Sequence, residues 1–152
     1  MLAAVTLFAS CSQEEIVTKT DGESLVSFTV TTPELGSRAI GDGTTSNKLY
    51  YAVYDATGKI VENLSTNEGG NEFSKSTNIT LHLLNGETYS ILFWAANDAC
   101  AATVAWDTKT ISLSQTLASN KEAYDAFYAY VAPFTVVGSK QETVKMYRPL
   151  LR

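Results

Sequence analysis

The sequence predicts an all-β chain, an antiparallel β-sandwich with one short helical segment, and three observations carry that prediction. Runs such as residues 25–32 and 78–84 alternate apolar and polar side chains at period two, the pattern of a half-buried strand. Turn residues separate these runs at short intervals, among them Asp55-Ala56-Thr57-Gly58 and Asn85-Gly86. Valine, threonine and tyrosine, which suit a pleated half-buried surface, are plentiful, while proline is limited to 3.

Length and charge narrow the reading further. At 152 residues the chain has room for one ordinary domain plus a leader, and 45% hydrophobic residues are enough to build a core. A formal net charge of −5 and the lack of any Lys/Arg cluster argue against a nucleic-acid partner.

Three segments are expected. Residues 1–10, MLAAVTLFAS, form a short apolar run that ends in small residues and is too short to span a bilayer as a helix. It resembles a signal-peptide core whose basic leader is expected upstream of Met1. The run Phe8-Ala9-Ser10-Cys11 is similar to a bacterial lipobox, with phenylalanine where leucine is more frequent. That resemblance implies cleavage between Ser10 and Cys11 and lipidation of the Cys11 thiol; the two or three acyl chains give stable anchoring where one would not. Residues 11–24 follow as a polar tether carrying Glu14 and Glu15. They resemble the acidic signal that sends Bacteroidetes lipoproteins to the outer face of the outer membrane. With Cys11 lipidated, Cys100 has no cysteine partner, and it is expected to be a buried free thiol.

Residues 25–152 are expected to form the sandwich. In the first strand Val26, Phe28 and Val30 share one face. A glycine-bearing loop containing Arg38-Ala39 leads to the second strand, whose two faces, Leu49/Tyr51/Val53 and Tyr50/Ala52/Tyr54, are both apolar. Such a strand belongs in the middle of a sheet or under another segment. Residues 65–76, with Gly69 and Gly70 adjacent, read as a loop. Residues 78–97 read as a β-hairpin closed by Asn85-Gly86. Residues 121–132 are the one helical candidate, with Ala123, Phe127 and Tyr130 at helical spacing. A last strand is expected over 143–147, after a turn at Gly138.

Catalytic and metal-binding patterns are missing from the sequence. His82 alternates away from Ile79, Leu81 and Leu83, so it is expected on an exposed polar face. Neither a GxSxG nor an HExxH pattern occurs, and Cys and His are too scattered for a zinc site. Asp107, Glu122 and Asp125 lack the spacing of a calcium loop and read as solvated. Trp94 reads as core and Trp106 is open between core and glycan platform. The chain is expected to be no enzyme and to need no cofactor.

The order of these motifs resembles the N-terminal domain of the Bacteroidetes fimbrillins, the type V pilus subunits and their lipoprotein relatives. The resemblance rests on the lipobox, the acidic tether, the Arg38-Ala39 loop, and the strand ending Tyr54-Asp55 before Gly58. It continues through Trp94-Ala95-Ala96-Asn97, residues 122–128 (EAYDAFY) and Tyr147-Arg148-Pro149. It implies a transthyretin-like, Greek-key sandwich followed by a second domain downstream of Arg152. It also implies cutting after Arg38 by a trypsin-like protease, departure of residues 11–38, and filling of the vacated slot by a strand of the next subunit. Val26, Phe28 and Val30 would then be the apolar face of the removable strand.

The implied partners are other pilin subunits, lipoprotein-processing enzymes, the protease, and the outer membrane through the lipid; the implied location is the cell surface or the pilus itself. The alternative function is a lipid-anchored surface adhesin that does not polymerise. It would bind a host or glycan ligand through residues 65–76 and the surroundings of Trp106.

Overall fold

The computed structural model describes residues 22–33, 46–97, 100, 102–113 and 126–148. Nine strands are assigned among them: β1 (Glu23–Thr31), β2 (Lys48–Tyr54), β3 (Thr66–Glu72), β4 (Ser76–Leu84), β5 (Thr88–Ala96), β6 (Ala102–Ala105), β7 (Thr110–Leu113), β8 (Ala126–Thr135) and β9 (Lys140–Lys145). A single 3₁₀ turn, Glu62–Leu64, is the helical element among the described residues. The protein is an all-β sandwich, as expected. One sheet has the order β4-β1-β9, the other β3-β2-β5-β8, and β6 pairs with β7 in a separate hairpin.

Pairing is antiparallel throughout, except that β1 runs parallel to β9. The inner faces interlock as the alternation demands. Val26, Phe28 and Val30 of β1 and Ile79, Leu81 and Leu83 of β4 meet Leu49, Tyr51 and Val53 of β2 and Ile91, Phe93 and Ala95 of β5 in one core.

Four expectations about the elements are corrected. Residues 78–97 contain both strands and the turn, but not a hairpin: β4 and β5 lie in different sheets. The burial patterns explain this. Strand β4 alternates buried and exposed residues, as an edge strand solvated on one face does, whereas β5 is buried on both faces from Tyr89 to Ala96. A strand buried on both faces takes the middle of the larger sheet, between β2 and β8.

Residues 65–76 are not an open loop, because β3 occupies Thr66–Glu72 and pairs with β2. Gly69 and Gly70 have φ of 75° and 61°, and a Cβ at Gly70 would fall 2.8 Å from the Tyr50 ring. They allow a strand whose register shifts between Leu49 and Tyr51.

The helical candidate is strand where it is described. Phe127, Ala129 and Val131 pack inward, and Tyr130 points to the opposite, exposed face. Ala123 lies outside the described residues. The period is two, and the spacing of Phe127 and Tyr130 straddles both faces. The last strand also begins earlier than expected, at Lys140, and Tyr147 leaves β9 to bridge to Tyr128 on β8.

The turn at Asp55 forms as read. The Asp55 carboxylate accepts from the Thr57 hydroxyl (2.6 Å), the Thr57 amide (2.8 Å) and the Lys59 amide (3.1 Å). These bonds, the Thr57 hydroxyl foremost, hold its pKa below the ordinary carboxylate value.

Candidate functional site

Two places in the fold gather the residues singled out by the sequence. The first is the seat of β1. This strand is the middle of its sheet, paired from Glu23↔Leu84 to Thr31↔Ser76 with β4 and from Val26↔Lys140 to Thr31↔Lys145 with β9. Its inward side chains are sealed from solvent: Val26 is 1% exposed, and Phe28 and Val30 are 0% exposed. Phe28 packs against Phe93 (ring centroids 5.8 Å apart) and edge-on against Phe134 (6.1 Å).

On the outer face the contacts are polar, Ser27 to Thr80 at 3.0 Å and Thr29 to Asn78 at 2.8 Å. The ends are tied by single residues. Asn85 Oδ1 accepts from the Ser24 hydroxyl (2.7 Å) and from the Gly138 amide (3.2 Å), while the Asn85 amide donates to the Gly22 carbonyl (2.9 Å). At the other end the Thr32 amide donates to the Lys75 carbonyl (2.8 Å). Loss of β1 would therefore open a slot flanked by the backbone groups of β4 and β9.

The second place is the outer face of the larger sheet. Tyr50, Tyr54, Leu92 and Trp94 make this face apolar, and the β6–β7 hairpin lies over it. The Tyr54 hydroxyl donates to the Trp106 carbonyl (2.6 Å), and the Lys109 ammonium stands 4.3 Å from the Tyr54 ring centre. Burial, then the Asp107 carboxylate and Tyr130, push the Tyr54 hydroxyl up to about 12. Between hairpin and sheet a cavity of about 230 Å³ is lined by Tyr50, Asn67, Trp94, Asn97, Cys100 and Trp106, with small residues between them.

The sequence-derived sites divide between these places and the undescribed segments. Val26, Phe28 and Val30 lie together in the first. Ser10, Cys11, Glu14, Glu15, Arg38 and Ala39 lie outside the described residues, as do Glu122 and Asp125. Asp107 is exposed beside the hairpin turn. Trp94 is buried as expected, at 5% exposure, but beneath the hairpin and not between the sheets. Cys100 is half-buried at the cavity rim, not fully buried, because it lies beyond the end of β5 where the roof begins. His82 is exposed on β4, as its alternation required, 3.7 Å from the Glu23 carboxylate.

Sequence reasoning missed Asn67, Asn97 and Tyr50 as companions of the tryptophans, and Asn85 as a tie between β1 and the β8–β9 turn. The signal for Asn85 was present but absorbed by Asn-Gly turn chemistry. The signal for Tyr50 was the apolar second face of β2, which requires a cover.

Fold and cavity together define the class, an all-β sandwich with a hairpin roofing one sheet. The chain belongs to the family of unknown function DUF6562, whose model matches residues 17–152. No curated protein matches it. Among solved structures it is similar to a fimbrial assembly protein from Parabacteroides distasonis ATCC 8503, at 15% identity and a TM-score of 0.47, over 83% of this chain and 53% of that one. It is also similar to one described as putative polysaccharide binding proteins (DUF1812) from Bacteroides thetaiotaomicron VPI-5482. That match has 18% identity and a TM-score of 0.38, over 83% of this chain and 48% of the other. The chain spans about half the length of each.

Proposed function

We propose that the protein is a structural, non-enzymatic subunit or accessory component of a cell-surface pilus, exported as a lipoprotein on Cys11 and assembled by β-strand addition. One observation carries the reading: β1, the strand that precedes Arg38 in the sequence, is the middle strand of its sheet and buries Val26, Phe28 and Val30 completely or nearly so. An edge strand could leave and expose one row of backbone groups. A middle strand leaves two rows and an apolar slot, the arrangement that captures an extended segment.

Removing the three side chains forfeits roughly 1.5–3 kcal/mol each, so an empty slot is costly and its refilling favourable. In this reading a trypsin-like protease cuts the Arg38–Ala39 bond, residues 11–38 depart, and a strand of another subunit takes their place. The partners are other pilin subunits, with the outer membrane as the site of the lipid anchor.

Mild trypsin treatment of the full-length protein tests this. Cleavage after Arg38 followed by oligomers in a regular ladder is expected, and Arg38→Gln should keep its first strand joined to the chain and stay monomeric. A cut protein that keeps its N-terminal fragment and never associates would overturn the reading. Anchoring is tested separately, since Cys11→Ser should abolish acylation and surface display; unchanged membrane retention would contradict it.

A further inference from the structure

The outer face of the larger sheet carries more aromatic surface than a solvated sheet face needs, and its cover leaves a hollow. Strands β6 and β7 pair with each other and with no other described strand, so side-chain packing holds the roof in place. Trp106, Val104 and Ile111 pack against Trp94, Ala96 and Ala126 beneath. The cavity of about 230 Å³ is what that packing does not fill.

Its lining has a definite chemistry. Tyr50, Trp94 and Trp106 contribute flat apolar rings, and Asn67 and Asn97 contribute side-chain amides. Among the described residues no charged side chain lines it. An amide both donates and accepts hydrogen bonds, which suits a ligand whose hydroxyls do the same. Aromatic rings suit the C–H faces of that ligand, and the polar share of the lining suits its hydroxyls. A charged ligand would lose hydration with no opposite charge among the described lining residues to meet it. The volume lies below the roughly 300–1,000 Å³ of sites for drug-sized ligands, which limits the occupant to about one ring.

We propose that this cavity binds one neutral sugar residue of a glycan, held between the aromatic rings of Tyr50, Trp94 and Trp106 and hydrogen-bonded by Asn67 and Asn97. The site is on the face opposite the core that β1 fills, and it does not depend on strand addition. A pilus subunit or a non-polymerising surface module would carry it equally well.

The chain has 2 tryptophans and both line the cavity, so tryptophan fluorescence, excited selectively over tyrosine, reports on this site. The full chain is titrated with methyl mannoside, methyl galactoside, methyl glucoside and N-acetylglucosamine, with N-acetylneuraminic acid as the charged comparison. A saturable change is expected for at least one neutral sugar, with Kd on the order of 1 mM for so small a ligand.

Asn67→Ala, on an edge strand, should weaken that binding about tenfold through the lost hydrogen bonds. Trp106→Phe should weaken it also and leaves Trp94 as the reporter; if that variant does not fold, Asn67→Ala decides. No saturable change with any neutral sugar up to about 50 mM would overturn the proposal. Saturation by N-acetylneuraminic acid alone, or unaltered affinity in Asn67→Ala, would overturn it as well.

Discussion

Phe28 of β1 and Phe93 of β5 face each other across the sandwich, ring centroids 5.8 Å apart and planes tilted by 58°. Both rings are fully buried, so this contact joins the middle strands of the two sheets at the centre of the core. Phe28→Ala should cost about 3–5 kcal/mol, a large share of the roughly 5–15 kcal/mol that holds a domain of this size together. Phe28→Leu, which keeps most of the volume, should cost clearly less. Urea denaturation of the two variants checks the ordering; equal losses would mean that the seat is not tightly packed.

Asn85 should behave as a tie and not merely as a turn residue. Its side-chain oxygen accepts from Ser24 on β1 and from Gly138 in the turn before β9. Asn85→Ala removes that acceptor and should cost about 1–3 kcal/mol. Asn85→Asp keeps an acceptor in the same place and should cost less. Thermal unfolding of both variants checks the ordering; equal losses would mean that the side-chain oxygen ties nothing.

Tyr54 predicts a pH dependence with a fixed sign. Its folded-state pKa is raised to about 12 from an ordinary value of 10.0, so the fold favours the neutral hydroxyl. The stability contributed is complete below pH 10.0 and is lost as pH rises through about 12. The slope is at most about 1.4 kcal/mol per pH unit. Denaturation at a series of alkaline pH values should show a shallower decline in Tyr54→Phe than in the wild type. An identical decline would place the titrating group elsewhere.

Much of this fold was legible because one-sided burial writes itself into the sequence. Val26-Phe28-Val30 and Ile79-Leu81-Leu83 each lie on one face, and both rows point into the core. The two apolar faces of β2 pointed to the middle of a sheet or to a place under another segment, and both hold. What failed was long-range pairing. Asn85-Gly86 favours a tight turn, but local turn chemistry does not decide whether the joined strands share a sheet. Here the two-sided burial of β5 places it between β2 and β8.

Strand β3 was hidden for a different reason. TNEGGNE has almost no apolar side chain, and its pairing with β2 comes from backbone bonds that leave no hydrophobic pattern. The cavity was illegible because Tyr50, Asn67, Trp94, Asn97 and Trp106 come from separate parts of the chain and meet only once the hairpin folds over the sheet.

The central claim is that β1 can leave its seat between β4 and β9 and be replaced. The most direct measurement is strand exchange in protein cut after Arg38, using a fluorescent peptide with the β1 sequence ESLVSFTVT. The account predicts that the cut protein takes up the labelled peptide and releases its own fragment, while a peptide with Phe28→Ser is taken up far more weakly. Uncut protein should exclude both peptides. If the cut protein excludes the β1 peptide over days, or takes up the Phe28→Ser peptide equally well, the slot is not an exchangeable strand site and the account is wrong.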